Sequence, residues 1–176
     1  MTEDFFNFIT DTTKENFVAA QQLVFSDKDY NPYSDDLDEI VELLDNDDFE
    51  KVEAWFSVNI LLSARAHFYK NYALTQLGKE REAQAELIIG QKILEGISLT
   101  GDGTQENPYV VTRISDEQDL LEYLDEEFES QSLVTNNGRF YDVITTEWGD
   151  EIYFDITVPY QKMQQLMDSG EIDFGF

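Results

Sequence analysis

Near residue 100 the spacing of apolar side chains changes, and that change constrains the fold more than any other feature of this chain. Upstream, apolar residues recur every three or four positions, as on a helix with one buried face. Downstream, short segments alternate apolar and polar residues, as on a half-buried strand. Helices grouped ahead of short strands joined by tight turns give an α+β fold, not a regular α/β alternation.

The upstream part divides at its breakers. Residues 2–25 read as one helix, with Phe5, Phe8, Ile9, Phe17, Ala20 and Val24 near the 3.6 period. Ser26–Ser34 is a loop, after which Ser34 or Asp35 caps a short helix with Leu37, Ile40, Val41 and Leu44 inward. Asn46-Asp47 breaks it, and Phe49–Phe56 resumes with Val52 and Trp55. Longer helices are predicted over Ile60–Leu77, ended by Gly78, and over about Lys79–Ile97. In these two, Ala64, Phe68, Ala73, Leu77-Gly78, Ala83 and Leu87 fall where a tetratricopeptide (TPR) repeat places its packing residues. Asn46–Ala54 is similar to Leu77–Ala85 at an offset near 31 residues. His67, Asn71 and Gly90 depart from the repeat's preferred residues, so an unrelated helical bundle is the alternative to TPR-like hairpins.

The downstream part is punctuated by turns. Gly101-Asp102-Gly103-Thr104 is turn chemistry, and Asn107-Pro108 leads into the extended run Tyr109–Thr112. Ser115-Asp116-Glu117-Gln118 reads as a capping box for a helix through about Leu124. Asn136-Asn137-Gly138 between Ser132–Thr135 and Arg139–Thr146 is a hairpin signal. Gly149-Asp150 leads to a strand over Glu151–Val158, and Pro159 opens a final helix through about Met167. The expectation is a TPR-like helical region over residues 1–98 and an α+β region over 99–176 with a small antiparallel sheet, docked as one compact unit.

These landmarks resemble an uncharacterised bacterial family that joins TPR-like helices to a small carboxy-terminal sheet. The segments that carry the likeness are Tyr33–Ile40, Ala73–Lys79, Gly101–Thr104, Pro108–Thr112, Ser130–Val134, Tyr141–Val143 and Tyr153–Ile156, across about residues 30–158. That family is of unknown function, so the resemblance implies a fold and supplies no catalytic residues.

Charge decides among function classes. Thirty-eight acidic residues oppose eleven basic ones, a formal charge of −27, distributed as −13 over residues 1–60, +1 over 61–100 and −15 over 101–176. Such a surface repels nucleic acid and anionic lipid, and no basic cluster offsets it. Thirteen Phe, nine Tyr and two Trp supply a core, which argues against disorder. The acidic amino terminus and the lack of an apolar run near 20 residues point to a cytoplasmic protein.

Chemistry is sparse. Cysteine is absent and His67 is the single histidine, expected as a partly buried structural imidazole, so neither a thiolate metal site nor a Ser–His hydrolytic centre is expected. Asp27, Asp29, Asn31, Tyr33, Asp35 and Asp38 follow a calcium-loop spacing, but Pro32 stands where that loop needs glycine. No enzyme activity, metal or cofactor is expected.

Two runs, Asp35–Asp48 and Asp116–Glu129, contain no basic residue. Like charges at i,i+4 such as Asp38–Glu42 cost a helix roughly 0.2–0.5 kcal/mol each, so stability alone would favour interspersed lysines. A basic partner converts that cost into attraction. The partner-binding candidates are Asp35, Asp36, Asp38, Glu39 and Glu42 in the first run and Asp116, Glu117, Asp119, Glu122 and Glu126 in the second. Tyr33, Tyr123, Tyr153 and Asp155 join them as interface anchors. The function expected is a non-enzymatic acidic protein that captures a basic protein, most concretely an immunity-type inhibitor of a cationic bacterial toxin such as a nuclease. The alternative is a TPR-like adaptor or chaperone that holds a peptide or partner helix.

Overall fold

A computed structural model describes residues 3–171. They form two compact units, one of residues 3–30 and 34–96, the other of residues 31–33 and 97–171.

The first unit is helical. The predicted first helix is two helices, α1 (Glu3–Thr10) and α2 (Lys14–Phe25). Asp11-Thr12-Thr13 interrupts them because Thr13 takes an extended conformation and its hydroxyl accepts from the Asn16 amide, starting α2 afresh. Phe5, Phe8 and Phe17 are buried, and the Phe8 and Phe17 rings pack 5.0 Å apart.

Helices α3 (Asp36–Asp45) and α4 (Phe49–Ala54) follow, then a 3₁₀ turn at Val58–Ile60 and α5 (Ala64–Gln76). The last starts four residues later than its periodicity suggests, since Ser63 caps it by accepting from the Ala66 amide. Leu37, Ile40, Val52, Ile60, Ala66 and Ala73 make the core of this unit, lined by Phe49, Trp55 and Tyr69. After Gly78, α6 (Glu80–Thr100) lies against α5, tied by the Asn71 side chain donating to the Ala83 carbonyl at 2.8 Å. His67 is buried as expected, with Nδ1 2.5 Å from Glu86 Oε2 and Nε2 3.2 Å from the Leu61 carbonyl.

The second unit is a four-stranded sheet with helices. Its strands are β1 (Tyr109–Val110), β2 (Phe128–Asn136), β3 (Arg139–Thr146) and β4 (Glu151–Asp155), in the order β1-β4-β3-β2. The sheet is mixed where an antiparallel one was expected: β2–β3 and β3–β4 are antiparallel, but β1 runs parallel to β4, pairing Tyr109 with Phe154. The chain reaches β1 from the end of α6 through a tight turn. There Gly101 passes so close to the Pro108 carbonyl that a Cβ would collide with backbone. The β2–β3 hairpin turns on Asn137 and Gly138, both at positive φ (50° and 77°), as a two-residue turn of this hand requires.

Helix α7 (Ser115–Tyr123) carries no capping box; Ser115 makes no cap. Instead Asp116 folds back, its Oδ2 accepting from the Thr112 and Arg113 amides at 3.1 and 2.9 Å and from the Thr112 hydroxyl at 2.8 Å. Helix α8 (Thr157–Ser169) begins two residues before Pro159, which falls in its first turn where no intrahelical donor is lost. No helix among the described residues is long and apolar enough to cross a membrane.

Candidate functional site

The proposed contact residues meet two different fates. On α3, Leu37 and Ile40 turn inward, while Asp35, Asp38, Glu39, Glu42 and Asp45 stay exposed. Asp38, Glu42 and Asp45 are spaced three or four residues apart along one side of a ten-residue helix, with Glu39 beside Asp38 and Asp35 at the N-cap. Asp36 leaves the group. Its carboxylate accepts from the Trp55 indole at 3.0 Å, the Ser57 and Ser34 hydroxyls at 2.9 and 2.7 Å and the Asn59 amide at 3.1 Å. Burial would raise its pKa, but these hydrogen bonds outweigh burial and hold it below the usual carboxylate value.

The second run is not the open face expected of it. Asp116 is 1% exposed, Glu117 3%, and Asp119 is buried too. They stand on the inner side of α7 with Leu120 and Leu121, because the four positions 116, 117, 120 and 121 share one helix face. Only Glu122 and Tyr123 of the helical candidates face water, and Glu126, just beyond α7, is half-buried. Asp155 is also buried: its carboxylate meets the Arg139 guanidinium and accepts from the Thr157 amide at 2.9 Å, opening α8. Tyr153 is half-buried, its ring edge-on to Tyr141 and its hydroxyl donating to Glu151.

What replaces the expected face is a buried carboxyl pair. Glu117 on α7 meets Asp142 on β3, a strand whose Tyr141, Asp142, Val143 and Ile144 are all buried, so both of its faces are covered. Burial first, then the charge and hydrogen bond of Asp142 and the charge of Asp116, push the Glu117 pKa up to about 9. Asp142 is raised as well, chiefly by burial. Burial likewise lifts Asp116 to about 6. Tyr33 joins the group: burial, then Asp142, Glu117 and Tyr160, push its hydroxyl up to about 12. At neutral pH the pair therefore holds a proton.

Glu117 of this pair lines a pocket of about 370 Å³ in the second unit. Ile114, Leu121, Phe128 and Ile144 form its apolar wall, and Glu117, Ser115 and Gln131 supply polar groups. Gln131 donates to Glu117 Oε2 at 3.4 Å, but Glu117 Oε1 is buried with no hydrogen-bond partner. An acceptor left in that state costs about 1–3 kcal/mol. Asp142 was absent from the contact residues expected from sequence. Its signal was an acid inside the apolar strand Phe140–Ile144, opposite a helix face where acids occupy core positions.

The model of a domain of unknown function, DUF4919, matches residues 23–165. The chain belongs to this family. The DUF4919 match spans α3 to most of α8 and so takes in both the exposed carboxylates of α3 and the Glu117–Asp142 pair. Neither the curated proteins nor the solved structures compared with the chain gave a match.

Proposed function

We propose that this DUF4919 chain is a non-enzymatic, cytoplasmic protein that captures a basic protein partner through the exposed carboxylates of α3. One observation carries the reading: Asp35, Asp38, Glu39, Glu42 and Asp45 face solvent together, with no lysine or arginine between residues 35 and 48. Neighbours at i,i+3 and i,i+4 in this set repel by roughly 0.2–0.5 kcal/mol each, a standing cost that a cationic partner reverses. Attraction of this kind acts at a distance and raises association rates by roughly 10- to 1,000-fold at low salt. In its most concrete form the partner is a bacterial toxin such as a nuclease, inhibited when its basic active-site groove is covered.

The test is coexpression with the product of each gene adjacent to this one, challenged for toxicity, using the wild type and the triple variant Asp38→Asn, Glu39→Gln, Glu42→Gln. The wild type protects cells and forms a complex whose association slows steeply with salt; the variant protects less while unfolding at slightly higher denaturant. Protection or complex formation indifferent to both salt and the triple variant would overturn the reading.

The adaptor reading draws support from the first unit. There Phe56, 78% exposed, stands with Trp55, Ile60 and Ile89 around a pocket of about 100 Å³. A peptide or partner helix held there binds through apolar contact, so its association barely responds to salt. Phe56→Ala would weaken it and leave charge-driven capture unchanged.

A further inference from the structure

We propose that the pocket between α7 and the sheet binds an organic cation with an aliphatic or aromatic stem, its ammonium or guanidinium head on Glu117 Oε1 and its stem along Ile114, Leu121, Phe128 and Ile144. This goes beyond capture by α3 and does not depend on it.

Three observations lead there. The first is the unsatisfied carboxyl: Glu117 is 97% removed from solvent, lines the pocket, and has one buried carboxyl oxygen with no hydrogen-bond partner, which a small turn of the carboxyl brings to the pocket. A ligand that brings a donor to this atom supplies what the protein leaves out. The second is the field. Asp142 on β3 and Asp116 on α7 both act on Glu117, while the charge of Arg113 acts on Asp116. An anion is repelled here, a neutral donor gains little from the field, and a cation gains from all three carboxyls. The third is shape and lining. About 370 Å³ falls within the range of small-molecule pockets, whose walls are mostly apolar with a few placed polar groups. Phe128, 53% exposed, adds a ring face to which a cation is attracted. A bare metal ion fits poorly, since no group of three or more His, Cys, Asp or Glu among the described residues is placed to hold one.

The proton balance follows. Empty, the pair of Glu117 and Asp142 holds one proton near neutrality, with Asp116 from the same helix, Gln131 from β2, Tyr33 from the segment before α3 and Tyr160 from α8 around it. An arriving cation takes over the charge balance, and that proton leaves to buffer. Binding is therefore linked to the release of about one proton and tightens about tenfold per pH unit from 7 towards 9.

Calorimetric titration of the full chain at pH 7.5, in phosphate and in Tris, reads this directly. The probes are agmatine, phenethylamine and the neutral isostere 2-phenylethanol. The expected result is binding of both amines, at least tenfold weaker binding of the alcohol, and a heat difference between buffers that corresponds to about one proton released. Glu117→Gln weakens amine binding at least tenfold with an unchanged far-ultraviolet dichroism spectrum; should that variant fail to fold, the buffer comparison on the wild type decides alone. N-acetylarginine methylamide separates the two sources of such a cation. Binding equal to agmatine marks a pocket that accepts a partner's side chain, weaker binding marks a site for a free amine, and both support the cation. Equal binding of the alcohol, binding without proton release, or no binding of any amine at millimolar concentration overturns the proposal.

Discussion

Glu117 makes stability fall as the solution becomes alkaline, against the usual trend for carboxylates. The unfolded chain loses this proton near pH 4.5, whereas burial and Asp142 hold it in the folded protein up to about 9. Between those values the native state binds one proton more than the unfolded state. Stability is greatest below the lower value and declines by about 1.4 kcal/mol per pH unit towards the higher one. Asp116, raised only to about 6, is already mostly ionised at pH 6.5 and adds little to the slope above it. From pH 6.5 to 9, two and a half units of that slope amount to about 3 kcal/mol attributable to Glu117. Glu117→Gln keeps the shape of the protonated acid and has nothing to lose, so its stability stays comparatively level. Urea unfolding of both proteins at pH 6.5 and 9, followed by circular dichroism, gives the double difference directly. The variant should be close to the wild type or below it at pH 6.5 and the more stable of the two at pH 9. Parallel pH dependence would show that Glu117 titrates alike in the folded and unfolded states, and the buried pair as described would be wrong.

Three further outcomes follow from named contacts. Asp36→Ala strips the acceptor from Trp55, Ser57, Asn59 and Ser34 and should lower stability by roughly 1–3 kcal/mol, with Trp55 emission shifting to longer wavelength. Because its pKa is depressed in the fold, the stability Asp36 contributes should be present above the ordinary carboxylate value and fade as pH falls through it, which acid titration of wild type against Asp36→Asn would reveal. Arg139→Ala leaves Asp155 buried without its cation and should cost roughly 1–3 kcal/mol in urea unfolding, while Asp155→Asn in the same background recovers part of it.

Much of the fold was legible because its punctuation is local. Asn137-Gly138, Gly149 and the break at Asn46-Asp47 each act through backbone preferences of a few residues, and the elements between them lie close to where periodicity puts them. What escaped is set either by rival local signals within one apolar pattern or by pairing at longer range. Thr13 and Ser63 each win a cap hydrogen bond that interrupts an otherwise continuous helical pattern. Strand β1, two residues long, pairs parallel to β4, a choice no alternation pattern encodes. The site misled for a related reason. Composition counts carboxyls but not their surroundings, so Asp38 and Glu117 look alike in a charge run. Only the helix phase, with Leu120 and Leu121 one turn beyond Asp116 and Glu117, marks the second pair as inward.

The crossing at Gly101 bears on the history of this family. Two main chains meet there with no room for a carbon between them, so any relative that bears another residue at this point must have rerouted the link from α6 into β1. Insertions and deletions among relatives should accumulate on either side of the crossing, in segments free to lengthen, and a lineage that has lost the glycine should also have lost the first strand.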